Sequence, residues 1–349
     1  MAGATLVRRA LLVTALLTAV LGVSGGLARL GVGTAPASAV AWHGALMVCG
    51  FFGTLIALER AVALGRPWAF AGPLAGAAGA VAMLLGARDL AAAAWLVSPL
   101  ALVLASIVIA RRQPALHTAL MVVASCFLAA GNVAFAAGSA NGMLEPWFAF
   151  IVLTVAAERI EFARLTGRRR GMAAMRAVVC LMVASVVTSA FDAEAAGLAF
   201  GASIAALGAW LLRFDIARRT WHAGGFARFA ATALLSGYAW LIAGGLAWIA
   251  WVEGAPVGDL ALHALALGFA ASMILAHAPI VVPAVARLRL PYTAAFYLPL
   301  ALLHGSLLMR AGSVVARLPL SVPGAANAVA LGAFVIVVAT AARPRGRPC

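Results

Sequence analysis

Residues 41–60 read AWHGALMVCGFFGTLIALER. The run is apolar almost throughout, and a helix needs roughly 20 such residues to cross a bilayer. It nevertheless carries His43 near one end and Glu59-Arg60 at the other. Ionisable side chains are costly in hydrocarbon and tend to face a bundle interior or a cavity. The stretch therefore predicts a membrane helix whose polar residues have partners inside the protein.

The rest of the chain has the same character. Of its 349 residues 65% are hydrophobic and only 10% charged, more apolar surface than a soluble domain of this size can hide. Twelve apolar segments are legible, near 10–32, 41–64, 68–86, 90–110, 114–138, 146–165, 172–190, 194–213, 227–252, 258–286, 291–312 and 318–341. They predict an all-α polytopic protein with about twelve transmembrane helices and short connections, one integral membrane domain over 1–349. The short alternating strands of a membrane β-barrel are not seen.

The net charge is +15, and all 25 basic residues are arginine. Their distribution alternates. Arg8 and Arg9 precede the first segment; Arg60 and Arg66 follow the second, Arg111 and Arg112 the fourth, and Arg168, Arg169 and Arg170 the sixth. Arg218 and Arg219 follow the eighth, Arg287 and Arg289 the tenth, and Arg343, Arg345 and Arg347 the twelfth. Twelve alternating helices put all of these on one side. The other side holds Arg29, Arg88, Arg310 and Arg317 beside acids such as Asp89, Glu145 and Asp259. This positive-inside pattern predicts a bacterial-type cytoplasmic membrane with both termini cytoplasmic, and it accounts for the basic charge without nucleic acid. RRALLVTALLTAVLG followed by APASA resembles a secretory leader, but its length and flanks favour an uncleaved first helix. Cys49, Cys126 and Cys180 stand singly in apolar segments and read as small packing residues, with no C-x-x-C pair.

Depth orders the remaining polar residues, since a helix rises about 1.5 Å per residue. His43, His263 and His304 fall in the outer half of three different helices. His277 follows His263 by 14 residues, roughly 21 Å deeper and about 40° around the helix. His117 and His222 read as interfacial or loop residues. Glu59-Arg60 and Glu158-Arg159 sit near the inner ends of the second and sixth segments, and Glu161 joins Glu158 on one helix face. Each Glu-Arg pair reads either as an anchoring ion pair or as part of a proton path. The second, sixth and tenth segments are thus the polar members of what would be three four-helix units. Met47 lies four residues after His43, and Met273 four before His277. Such His/Met sets suit copper(I), although methionine is also a common core filler. Pro279 and Pro283 predict a break in the tenth helix near its inner end.

Twelve helices, a histidine early in the second and two in the tenth resemble the subunit I fold of the haem-copper oxidases. There the second, sixth and tenth helices line the centre in pseudo-threefold order. The strings HGALMVCGFFGTLIALER and HALALGFAASMIL are more specifically similar to the NnrS-type membrane proteins, which are linked to nitric oxide metabolism. The resemblance implies a b-type haem with His43 and His263 as axial ligands, and a second haem or copper at His277 and His304. The sixth segment has no histidine and the seventh no His-His pair. The three-histidine copper site of a terminal oxidase is therefore missing, and oxygen reduction with proton pumping is not expected. The expected role is haem-dependent redox chemistry, nitric oxide response or electron transfer, with a separate cytochrome or quinol as donor. Two readings stand beside it: a proton-coupled transporter or channel using Glu59, Glu158, Glu161 and His277, and an assembly subunit whose histidines are satisfied in the core.

Overall fold

A computed structural model describes residues 2–139, 142–165, 171–286 and 288–344. Each expected segment is helical: α1 Ala2–Arg29, α2 Ala37–Leu64, α3 Pro67–Leu84, α4 Arg88–Arg112, α5 Leu116–Ala136, α6 Leu144–Leu165, α7 Met172–Thr188, α8 Ala193–Phe214, α9 Gly225–Val252, α10 Gly258–Ala286, α11 Ala294–Ala316 and α12 Ser321–Ala341. Among the described residues, all but α6 and α7 are both long and apolar enough to cross a membrane. α7 is apolar but has 17 residues, and α6 carries Glu145, Glu158, Arg159 and Glu161. The chain is a helical membrane-type protein. Arg8 and Arg9 lie within α1 rather than ahead of it. Arg168, Arg169, Arg170, Arg287, Arg345, Arg347 and Cys349 fall outside the described residues.

The chain divides into two compact units, Met1–Ala157 and Glu158–Cys349, the division falling within α6. In the first unit α2 is more enclosed than the other membrane-length helices. It ends at Gly65, whose φ of 66° lets the chain turn where a side chain would strain it, and Pro67 starts α3. Tryptophans of two helices fill the space left by glycines of their neighbours: Trp95 lies on Gly79 and Trp147 on Gly131. A Cβ at Gly131 would stand 2.7 Å from the Trp147 indole nitrogen. Gly131→Ala is therefore expected to cost about 1–3 kcal/mol in a denaturant titration of the detergent-solubilised protein. Gly305→Ala, whose Cβ meets nothing within 4 Å, is expected to be neutral or slightly stabilising.

In the second unit α8 and α9 approach closely through Gly201, Gly208 and Gly245, where a Cβ would meet the opposite backbone at 2.6–3.1 Å. Small residues drive association in lipid because they allow such contact. Ala271 of α10, Leu303 of α11 and Ala330 of α12 form one buried cluster. A two-residue antiparallel ladder joins Leu288–Arg289 to Arg343–Pro344, which sets the chain after α10 beside the chain after α12.

α10 is not broken at its prolines. Pro279 and Pro283 lie inside the helical run Ser272–Ala286. The irregularity begins at the residue after His263, where Ala264–Ala271 is wound as a π-helix. α2 has the same feature at Leu46–Gly53. π segments are rare and mark sites where a wider turn serves packing or function. The two dock by the same rule. Met47 and Leu265, each the second residue of its segment, pack on Gly22 of α1 and Gly244 of α9. Gly50 and Gly268, each the fifth, receive Thr18 of α1 and Trp240 of α9, each four residues before that helix's glycine. The helix pairs α1–α2 and α9–α10 thus repeat one packing scheme.

Candidate functional site

The first unit presents His43 one turn ahead of the π segment of α2. Its ring lies against α1 at Gly26, and Met47 packs one turn further along the same helix. His43 and Met47 therefore share a face, as their spacing predicts. Arg29 donates from its guanidinium to His43 Nδ1 at 3.3 Å. Arginine carries no acceptor, so this contact places the neutral ring's proton on Nε2.

Asn132 of α5 is the polar centre of this unit, and nothing in the sequence spacing singled it out. Its Oδ1 accepts from Cys49 Sγ at 3.1 Å and from Trp147 Nε1 at 2.8 Å, and its Nδ2 donates to the Trp95 carbonyl. That carbonyl needs a partner because Pro99, four residues on, has no N–H to offer it. Trp95 in turn donates to the Gly76 carbonyl at 3.1 Å. Four helices are pinned by one buried amide. Cys49 is buried as expected, but Cys126 and Cys180 are exposed on their helices rather than packed inside.

In the second unit His263 donates from Nδ1 to the Asp259 carbonyl at 2.8 Å, with the Asp259 carboxylate 3.2 Å away. Arg310 of α11, 2% exposed, forms an ion pair with the same carboxylate. His277 donates from Nδ1 to the Met273 carbonyl at 2.7 Å. In both rings the second nitrogen, Nε2, then carries the lone pair. A metal-bound histidine commonly has this arrangement, one ring nitrogen donating to a carbonyl or carboxylate and the other on the metal. His263 and His277 fit an axial-ligand role on that observation. His304 does not: Trp240 donates its indole N–H to His304 Nδ1 at 3.0 Å, so Nε2 holds the proton, buried and without a hydrogen-bond partner. In that tautomer His304 has no lone pair to offer a second haem or a metal. Met273 is buried with its methyl on Gly237, and Met47 packs on Gly22, so both serve as fillers. Among the described residues no group of three or more His, Cys, Asp or Glu could hold a metal ion.

The acidic pattern needs correction in α6. Arg159 makes a bidentate ion pair with Asp215, which follows α8, at 2.7 and 2.9 Å. Tyr238 of α9 donates to Asp215 at 3.2 Å, and the Ala217 amide donates to its other oxygen at 2.6 Å. Arg159 and Asp215 are 7% and 2% exposed. This latch gives Arg159 a buried carboxylate from beyond α8 that the Glu158-Arg159 spacing does not announce. Glu161 is exposed and does not form an inward cluster with Glu158. In α2, Glu59 and Arg60 do form an ion pair, at 3.7 Å. His117, the second residue of α5, is buried at the start of that helix, and His222 is exposed beside Trp221.

Among the described residues four buried hydroxyls have no hydrogen-bond partner: Thr54 of α2, Ser98 of α4, Thr154 of α6 and Ser272 of α10. Thr54 and Ser272 are each the first residue after a π segment, and Glu59 and His277 each follow five residues later. The shared register of those two helices runs from the π segment to the ionisable group. Over residues 8–343 the sequence matches the family model described as a domain of unknown function, DUF8744. The chain belongs to that family. No curated protein and no solved structure matches it.

Family membership agrees with the extent of the fold, since the match runs from α1 to the end of α12. Arg159, Asp215, Tyr238, Asn132, Asp259 and Arg310 are the site residues that reading along the sequence did not assemble. A buried arginine and a lone aspartate between apolar segments were the available signals, but neither names its partner.

Proposed function

We propose that this chain is a haem-binding integral membrane protein of the NnrS and haem-copper type, working in electron transfer or nitric oxide chemistry. It would span a bacterial-type cytoplasmic membrane twelve times, with both termini cytoplasmic. The observation that carries the reading is the pair of equivalent π-interrupted helices, each with a histidine within one turn of its π segment. His263 supports it further, since its Nδ1–H is fixed on Asp259 and Nε2 carries the lone pair.

His263 is the ligand best prepared for a b-type haem, and His43 is the other ligand that the resemblance implies. His43 would first exchange the Arg29 contact for one that accepts a proton from Nδ1. His277 is a candidate ligand for a second haem or for copper. Bound haem would supply one-electron transfer and a site for diatomic ligands. The protein's own part is to fix ring tautomers, exclude water and hold charge: the Asp259 carboxylate beside His263 strengthens that imidazole as a donor, and Arg310 balances the carboxylate. The electron donor would be a separate cytochrome or quinol.

The test is an absorption spectrum of detergent-purified protein, oxidised and dithionite-reduced, with a pyridine haemochrome assay. Low-spin α and β bands are expected, and His263→Ala is expected to abolish them while the protein still elutes as a folded species. Colourless protein from haem-supplied cells, with no metal on analysis, would sink the reading. One set of observations favours a second reading, a proton-coupled transporter. The hydroxyls of Thr54, Thr154 and Ser272 are buried without partners, and Glu59 and His277 occupy equivalent positions beyond two of them. That reading predicts colourless protein and proton-coupled flux in proteoliposomes.

A further inference from the structure

The first unit has a strongly asymmetric distribution of charge about its own packing. The buried cluster of Ala61, Leu64, Ala69 and Ala105, with Phe70 and Val108 against it, brings together the end of α2, the start of α3 and the end of α4. The Arg8 guanidinium stands over the Phe70 ring at 6.0 Å, which adds the start of α1 to the same end. Arg8, Arg9, Arg60, Arg66, Arg111 and Arg112 are therefore gathered at one end of this unit, and Glu59 is the carboxylate there, paired with Arg60. The other carboxylates of the unit, Asp89 and Glu145, open α4 and α6 at the opposite end. That opposite end is defined by contacts of its own: Arg29 with His43, Ser38 with the Leu84 carbonyl, and Arg88 with the Phe135 carbonyl.

Two details make the arginine-rich end more than a charged rim. Arg8 Nε is shielded from solvent and has no hydrogen-bond partner. Trp68, 44% exposed, stands between Arg66 and Phe70 in the turn into α3. An indole that is half apolar and half polar settles at the headgroup level of a bilayer. A guanidinium offers forked N–H donors that match phosphate oxygens.

We propose that this end of the first unit binds the headgroup of an anionic phospholipid. Arg8 and Arg66 hold the phosphate, and Trp68 and Phe70 lie at the level of the glycerol backbone. The site needs neither haem nor transport, so it stands or falls apart from the function proposed above.

Native mass spectrometry of the detergent-solubilised protein with added phosphatidylglycerol or phosphatidylcholine of the same chain length tests it. Wild type is expected to retain phosphatidylglycerol preferentially. Each arginine near an anionic surface contributes on the order of a fivefold preference, so Arg8→Gln with Arg66→Gln should lower it about 25-fold. Arg66 is exposed, and Arg66→Gln alone, with an expected loss of about fivefold, keeps the test open if the double variant does not fold. Equal retention of the two lipids, or a preference unchanged in the variants, overturns the proposal. Displacement of the lipid by millimolar inorganic phosphate would assign the arginines to a free anion instead, and would also overturn it.

Discussion

Asp215→Ala is expected to lower the unfolding free energy by about 3–5 kcal/mol, read as a shift of the denaturation curve in mixed micelles. The size follows from what the substitution leaves behind. Arg159 is buried, and both of its hydrogen bonds to Asp215 would vanish, stranding a guanidinium away from water. Tyr238 and the Ala217 amide would lose their acceptor as well. Removing the pair together, as Arg159→Met with Asp215→Leu, should recover much of the loss, because the desolvation cost of the ions disappears with them. Tyr238→Phe, which deletes one hydroxyl and its bond, should cost only about 0.5–1.5 kcal/mol. Equal losses for Asp215→Ala and Tyr238→Phe would show that the carboxylate does not carry the buried charge.

Asn132→Leu is the second variant of large effect. The leucine is similar in size but makes none of the amide's bonds. The Trp147 indole N–H and the Trp95 carbonyl would both be left unsatisfied in the interior of the first unit. Each orphaned group costs about 1–3 kcal/mol, though polar contacts in membrane proteins run toward the lower end of such ranges. A total of about 2–4 kcal/mol is expected. A distinct readout accompanies it: the buried Cys49 thiol, now donating to Asn132, should react faster with a membrane-permeant maleimide once its acceptor and the surrounding packing are gone. Unchanged stability and unchanged thiol reactivity would show that the amide is incidental.

Both sites lie where linear reading was weakest. Glu158-Arg159 looked self-contained because the two are adjacent in sequence, and the adjacent Glu59 and Arg60 do pair in α2, but adjacency alone does not name the group that anchors a buried guanidinium. Arg159 instead finds a carboxylate 56 residues away. Asn132 carried no signal at all, since a single amide in an apolar segment is common and its partners come from three other helices. Pro279 and Pro283 misled in the opposite direction. Proline is tolerated inside membrane helices when neighbours satisfy the freed backbone, and α10 runs through both. Its distortion lies earlier, in the stretch ALALGFAA, which holds no proline to announce it.

The histidines divide along the same line. Their placement on α2, α10 and α11 could be counted from the segment ends. Their chemistry could not, because it turns on which ring nitrogen is engaged. A carbonyl one turn back takes the Nδ1 proton of His263 and of His277, whereas an indole from another helix occupies Nδ1 of His304. The first is a local helical contact. The second exists only because Gly268 makes room for Trp240.

By itself the sequence determined the class of fold and the twelve helical segments, because hydropathy acts residue by residue and a membrane-length apolar run has few other stable forms. It also set the arginine bias, which is a property of the helix ends and their connections. Only the tertiary structure decided the π segments, the glycine notches that seat them, the Arg159–Asp215–Tyr238 latch and the Asn132 node. Each of these depends on side chains from separate helices meeting at contact distance, where a difference of one residue in register changes every partner.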